Sequence, residues 1–186
     1  MKEYVDVVND LNPDMILIPG DLTNSQKNEA SPFAKAFRNL KAKHGVYATL
    51  GNHDYFSDEN YINDVVKNET GIRMLRNEAL LLNINGKPFS IMGTEDTRDS
   101  GGRSNPVVAK YITQTVNFAN EQFKQNGIDS KTVPKILLTH KPYLFDDVSD
   151  LNFDLMLSGH THGGQVVFFK FGDLNLSFAS AAHKYV

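Results

Sequence analysis

Cysteine is absent from the 186 residues, which excludes disulfides and thiolate metal sites together. No apolar run approaches the roughly 20 residues that a membrane-spanning helix needs. The opening MKEYVDVVND is too acidic and too interrupted for a signal peptide, so location is left open between cytoplasm and membrane surface. Basic residues are not in excess: 19 Lys and Arg against 22 Asp and Glu give a formal charge of −3. That balance, with no basic stripe carrying interleaved aromatics, argues against a nucleic-acid-binding surface. Repeats, linkers and low-complexity segments are also missing. What remains is ordinary for one globular domain, with 40% hydrophobic and 22% charged residues and length enough for a substantial core.

Helical and strand patterns alternate along the chain. Val5, Val8 and Leu11 share one face of a short helix that Pro13 helps to stop. Residues 15–21, MILIPGD, read as a buried strand ending in glycine. Ser31 and Pro32 form a cap and first-turn pair for a helix burying Phe33, Ala36, Phe37 and Leu40 and stopping near Gly45. A second strand is expected over residues 46–54, VYATLGNHD, and a helix over 59–70 closed by Gly71. Residues 72–93 read as strands, with a hairpin turn at Asn85 and Gly86. Val108, Ile112, Val116, Ala119 and Phe123 mark a long helix ending at Gly127. KILLTH (135–140) and DLMLSGH (154–160) are two further strands, and a last hairpin turns at Gly172 and Asp173. The polar loop of note is residues 95–106, a place where substrate contacts often sit.

The polar residues are placed selectively on this pattern. Four apolar runs each end in side chains suited to metal binding or proton transfer: Asp21, then Asn52 and His53, then His140, then His160 and His162. Loops converge at the carboxyl ends of strands in α/β sheets, so these residues should meet at one edge. Oxygen donors mixed with imidazoles suit Mn, Fe, Zn or similar divalent ions. Taken singly, each residue has a blander reading. A Gly-Asp after a strand is usually a turn, and a solitary histidine is more often hydrogen-bonded structure than ligand. His44, in the last turn before Gly45, and His183, near the chain end, are left to such roles. Co-occurrence lifts the others, since four of the six histidines fall at strand ends beside an Asp and an Asn.

GDLT, GNHD, LLTHKP and SGHTHGGQ, in this order, resemble four of the five signature blocks of the calcineurin-like metallophosphoesterases. The SGHTHGGQ form is similar to a bacterial branch of that family often attached to membranes. The resemblance runs over nearly the whole chain. It implies an α/β fold, a four-layer α/β/β/α sandwich of two mixed β-sheets, with the site at the strand ends.

The same resemblance implies roles. Asp21 would bridge two cations, as two-metal sites require. Asn52, His140 and His160 would complete one ion's shell, and His162 would reach the other. His53 would donate a proton to the leaving oxygen, and Asp54 is the candidate partner that orients it. The family's first block, an Asp-x-His on the first strand, has no counterpart here, so residues 1–186 are expected to be a single domain lacking that strand and truncated at both ends. Two divalent ions are then expected in a complete site and one in this chain, and membrane attachment only through a preceding segment. The expected function is metal-dependent phosphodiester hydrolysis, with a lipid or nucleotide phosphodiester as substrate. The alternative is a weakly active or inactive single-metal binding protein on the same scaffold.

Overall fold

A computed structural model describes residues 2–96, 106–162, 167–171 and 174–177, with backbone alone for Lys2 and for the last two stretches. Most of the 95–106 loop, Gly163 and Gly164, the turn at Gly172 and Asp173, and His183 lie outside the described residues.

The elements run α1 (Lys2–Asp10), β1 (Ile16–Pro19), α2 (Ala30–Phe37), β2 (Val46–Thr49), α3 (Asn52–Ser57), α4 (Glu59–Glu69), β3 (Ile72–Met74), β4 (Glu78–Ile84), β5 (Lys87–Gly93), α5 (Pro106–Gln125), β6 (Lys135–Leu138), α6 (Phe145–Val148), β7 (Leu155–Leu157), β8 (Val167–Phe171) and β9 (Leu174–Ser177). β1, β2 and β3 pair in that order, parallel throughout. β4, β5, β6 and β7 form a mixed sheet, antiparallel between β4 and β5 and parallel beyond. β8 and β9 form a separate antiparallel pair.

Three apolar clusters set the layers. Ala30 and Ala34 of α2 and Ile62, Val65 and Val66 of α4 pack on Val46, Ala48 and Ile72 of the first sheet. Val108, Ile112, Ala119 and Phe123 of α5 cover Ala79, Met92 and Leu137 of the second. Tyr47, Leu75 and Ile91, with Leu17, Leu80 and Phe89 against them, fill the space between the sheets. Helices, sheet, sheet and helix therefore stack as the expected four-layer α/β sandwich.

Local chemistry explains the boundaries. Asn85 and Gly86 both take left-handed backbone (φ 54 and 81), the two-residue turn that matches strand twist. α5 closes with the Ile128 N–H on the Phe123 carbonyl at 2.9 Å and the Gly127 N–H on Lys124 at 3.2 Å, Gly127 being left-handed. Asp58 caps α4 by accepting the Tyr61 N–H at 3.0 Å.

Several expectations are corrected. α1 ends at Asp10, which leaves Leu11 exposed. α2 begins at Ala30 after a 3₁₀ turn at Lys27–Glu29, so Ser31 and Pro32 occupy its first turn and not its cap. It stops at Phe37, because Asn9 of α1 captures the next segment by donating to the Asn39 carbonyl and accepting the Lys41 N–H. Phe33, Phe37 and Leu40 are only partly buried. β2 ends at Thr49, and Asn52, His53 and Asp54 form the first turn of α3.

Candidate metal centre

The ends of β1, β2, β6 and β7 meet on one edge of the sandwich. His140, fully buried, is held by its Nδ1–H, which donates to the Pro19 carbonyl across the two sheets at 2.7 Å. A carbonyl can only accept, so this contact fixes the tautomer and points the Nε2 lone pair inward. Around Nε2 lie Asn52 Oδ1 at 3.0 Å, Asp21 Oδ2 at 3.2 Å and His160 Nδ1 at 3.2 Å. Four atoms that offer lone pairs thus converge on one point. A single proton cannot serve them all, whereas a cation can. Ligands at right angles about an ion bonded at about 2.1 Å sit about 3.0 Å apart, the spacing found here. The donor set therefore fits a divalent metal, and among the described residues Asp21, His140 and His160 form a group that could hold one.

Electrostatics agree. Burial alone would raise the Asp21 carboxyl, but the hydrogen bond and charge of His140, with the His53 N–H, hold it below its ordinary value. Burial opposes charge on His140 too, and the contact with Asp21 overcomes it, so the ring's pKa is raised. Both shifts favour the charged pair, and a cation at this point would compete with the proton on His140.

The loops bearing these ligands are bent at the ligands themselves. Asp21 (φ 54), His160 (φ 69) and His162 (φ 54) all take left-handed backbone, uncommon outside glycine but less so for aspartate, asparagine and histidine than for other residues. The Thr161 N–H returns to the Gly159 carbonyl at 2.8 Å, closing a tight three-residue turn with His160 at its centre. The glycines serve a different purpose. A Cβ on Gly51 would stand 2.2 Å from Asp21 Oδ1 and 2.8 Å from the His140 ring, so this glycine lets the first sheet's loops close over the ligands.

His53 and His162 stand outside the four-atom cluster. His162 is exposed on an open cleft of about 450 Å³ that Asp21, His140 and His160 also line. His53 donates its backbone N–H to Asp21 Oδ1 at 3.0 Å, and its ring sits edge-on to Phe56. Its Nδ1 meets Ser25 Oγ at 2.6 Å, so the ring partner expected in Asp54 is Ser25 instead. Asp54 is fully buried and accepts the Leu22, Thr23 and Gly51 N–H groups and the Thr23 hydroxyl at 2.9–3.1 Å. Burial pushes its carboxyl up against the pull of those four donors. Its contacts tie the Asp21 loop to the Asn52 turn.

Lys141, Asp96 and Tyr143 are among the residues that went unmarked in the sequence. Lys141 and Asp96 form an ion pair at 2.7 Å, their side chains 3% and 4% exposed. Lys141 follows the ligand His140, and the pair anchors the start of the 95–106 loop beside the centre. Its position directly after an apolar strand and a histidine was the available signal. Tyr143, three residues after His140, packs edge-on against the His160 ring at 6.0 Å.

Among the described residues no helix is long and apolar enough to cross a membrane. Comparison with known proteins points one way. The chain is 31% identical over 169 residues to the Bacillus subtilis metallophosphoesterase YkoQ, covering 89% of this chain and 56% of that protein. It is 31% identical over 173 residues to the Campylobacter jejuni metallophosphoesterase Cj0846, covering 92% and 41%. A Danio rerio transmembrane protein with a metallophosphoesterase domain is 31% identical over 168 residues, covering 89% and 37%. The chain thus spans about two-fifths to just over half the length of these relatives. Among solved structures, Haemophilus influenzae NAD nucleotidase superposes with a TM-score of 0.54 at 16% identity, over 87% of this chain and 32% of that one. The Thermus thermophilus protein TT1561 gives 0.55 at 13% identity, over 84% and 73%. Such likenesses speak to fold alone. Residues 1–164 match the family described as Calcineurin-like phosphoesterase, and the chain belongs to that family, whose members hydrolyse phosphoesters with divalent metal ions.

Proposed function

We propose that this chain carries the catalytic centre of a metal-dependent phosphodiesterase. The observation that supports it most is the convergence of Asp21, Asn52 and His160 on the Nε2 lone pair of His140. These four would hold one tightly bound divalent ion. His162 shares the cleft but not the cluster, and it would address a second ion with Asp21 as the bridge. A bound ion supplies Lewis-acid polarisation of the phosphoryl group and lowers the pKa of water.

The chain's own residues do the rest. Hydrolysis forms a bond from a water oxygen to phosphorus and breaks the bond from phosphorus to the ester oxygen. The departing oxygen needs a proton, and His53, one residue from Asn52, would give it from Nε2, while the proton lost by the attacking water passes to solvent. The described residues lining the cleft include no lysine or arginine, which suits a diester with one negative charge better than a dianionic monoester. The likeness to a transmembrane relative supports a lipid phosphodiester, and a nucleotide diester is the other candidate.

The test uses the chain with added Mn²⁺ on an aryl phosphodiester and on an alkyl one, whose leaving group needs the proton more. His53→Ala should leave bound Mn²⁺ unchanged and cut turnover of the alkyl diester by about 10²–10⁴-fold, the usual range for general acid catalysis. His160→Ala and Asn52→Ala should lose the tightly bound ion, while His162→Ala keeps it. Full alkyl diester turnover by His53→Ala would remove the acid role. Equal metal loss from His160→Ala and His162→Ala would show that the two histidines do not serve different ions.

A further inference from the structure

The segment from Leu22 to Gln26, between β1 and α2, is held with unusual completeness. Asp54 accepts the N–H groups of Leu22 and Thr23, at 3.1 and 2.9 Å. Glu29 accepts those of Asn24 and Gln26, at 2.7 and 3.2 Å. Two carboxylates thus take every backbone N–H in the run except that of Ser25. Ser25 itself is left-handed, with φ 82, a conformation unfavourable for serine and kept because its neighbours over-determine it. Serines in loops usually bond their own backbone nearby. This one reaches 28 residues along the chain, and its Oγ sits 2.6 Å from His53 Nδ1.

We propose that Ser25 is a positioning residue for His53, held left-handed by Asp54 and Glu29 so that its hydroxyl accepts the Nδ1–H of the imidazolium and leaves Nε2–H as the proton to be given. The inference rests on the general-acid reading of His53 given above. The chemistry follows from what a hydroxyl can do. The form able to give a proton is the imidazolium, and toward it Oγ accepts the Nδ1–H. Nε2–H is then the proton left to donate, and giving it leaves the neutral ring with its proton on Nδ1, still bonded to Oγ. Without the hydroxyl, the ring can turn and carry Nε2–H away from the leaving oxygen. Phe56, edge-on to His53 with ring centroids 5.7 Å apart, restricts rotation from another side.

The variant that separates this role from a structural one is Ser25→Gly. Glycine takes left-handed backbone without strain, so the fold is eased while the hydroxyl is lost. A structural serine would be improved or unaffected by the change. A positioning serine should lose kcat on the alkyl diester by about tenfold, part of the 10²–10⁴-fold that a general acid contributes. KM, bound Mn²⁺ and turnover of the activated aryl diester should stay as in the parent chain. Ser25→Asn, whose amide both donates and accepts and tolerates left-handed backbone, should recover most of the loss. Combined with His53→Ala, Ser25→Gly should add nothing further.

A second readout needs no turnover. In the metal-free chain at one fixed pH, the Nδ1 proton of His53 should exchange slowly with solvent in the parent and freely in Ser25→Gly. Unchanged kcat and Nδ1 proton exchange in Ser25→Gly, alongside a large loss in His53→Ala, would overturn the role of Ser25 and leave the general acid standing. An unaffected His53→Ala would remove the general acid, and this proposal with it.

Discussion

The oxygen donors Asp21 and Asn52 follow β1 and β2 of the parallel sheet, whereas the imidazoles of His140 and His160 follow β6 and β7 of the mixed sheet. Each half also keeps a buried carboxylate, used differently. Asp54, under the oxygen half, spends its charge on neutral donors: three backbone N–H groups and a hydroxyl. Asp96, under the imidazole half, meets the ammonium of Lys141. The first arrangement freezes a loop's backbone, and the second clamps one strand end to the start of the next loop. An ion between the halves would join both sheets, so binding and folding are coupled across the sandwich.

The largest effect is expected where the comparison is broken on the oxygen side. Asp54→Ala strands four buried donors at once, and at about 1–3 kcal/mol for each unsatisfied group, partly relieved by water, a loss of about 5 kcal/mol is expected. Denaturant unfolding measures it, and a loss under 1 kcal/mol would mean the loop does not depend on that carboxylate. On the imidazole side, Asp96→Ala leaves Lys141 buried beside the centre without its carboxylate. Removing one partner of such a pair should cost about 3–4 kcal/mol. If Asp96→Ala proved the more damaging, the ion pair and not the backbone cradle would be the main support of the centre.

A smaller effect sharpens the comparison from the metal's side. Ions that bind only the folded chain stabilise it by about 2.7 kcal/mol at roughly a hundred times their Kd. Mn²⁺ should therefore raise the unfolding midpoint of the parent chain, and should do so much less for Asn52→Ala, on the first sheet, and His160→Ala, on the second. Stabilisation that survived in either variant would show that the ion is held from one sheet alone.

These two halves were unequally legible in the sequence. The meeting of Asp21, Asn52, His140 and His160 could be read because each follows an apolar run, and the chain must leave a buried strand at its end. Helix α4 and the Asn85–Gly86 hairpin were legible for the same kind of reason, local chemistry with one solution. What lay hidden depends on partners far along the chain. Nothing in NSQ marks Ser25, since its meaning comes from His53, 28 residues away. Asp54 looked like the neighbour of His53 because it is next in sequence, but the first turn of α3 directs it back toward Leu22 and Thr23. Glycines stand on both sides of the two histidines in the sequence, yet His160 and His162 carry the left-handed backbone themselves. The end of α2 was hidden because apolar spacing continues to Leu40, while Asn9 decides where the chain leaves the helix.

The smallest and most specific expectation concerns pH. His140 has a raised pKa and Asp21 a lowered one, chiefly through each other once burial is overcome. In the metal-free chain, the contribution of His140 to stability is full below its ordinary 6.5 and fades as pH rises through its raised folded value. That of Asp21 is full above its ordinary 3.8 and fades as pH falls through its lowered value. The metal-free pair thus contributes most between those two ordinary values. A cation needs the opposite state of His140, since Nε2 must release its proton before it can bind. Mn²⁺ affinity should therefore climb with pH by up to about tenfold per unit while His140 stays protonated, then level off above its folded pKa. Titration calorimetry in buffers of different ionisation enthalpy would read both the affinity and the released proton. In Asp21→Asn the ring loses the partner that raises it, so affinity, weaker throughout, should level off at a lower pH. An affinity that is flat from pH 6 to about 8 in the parent chain, with no proton released, would show that the ion does not displace a proton from this pair.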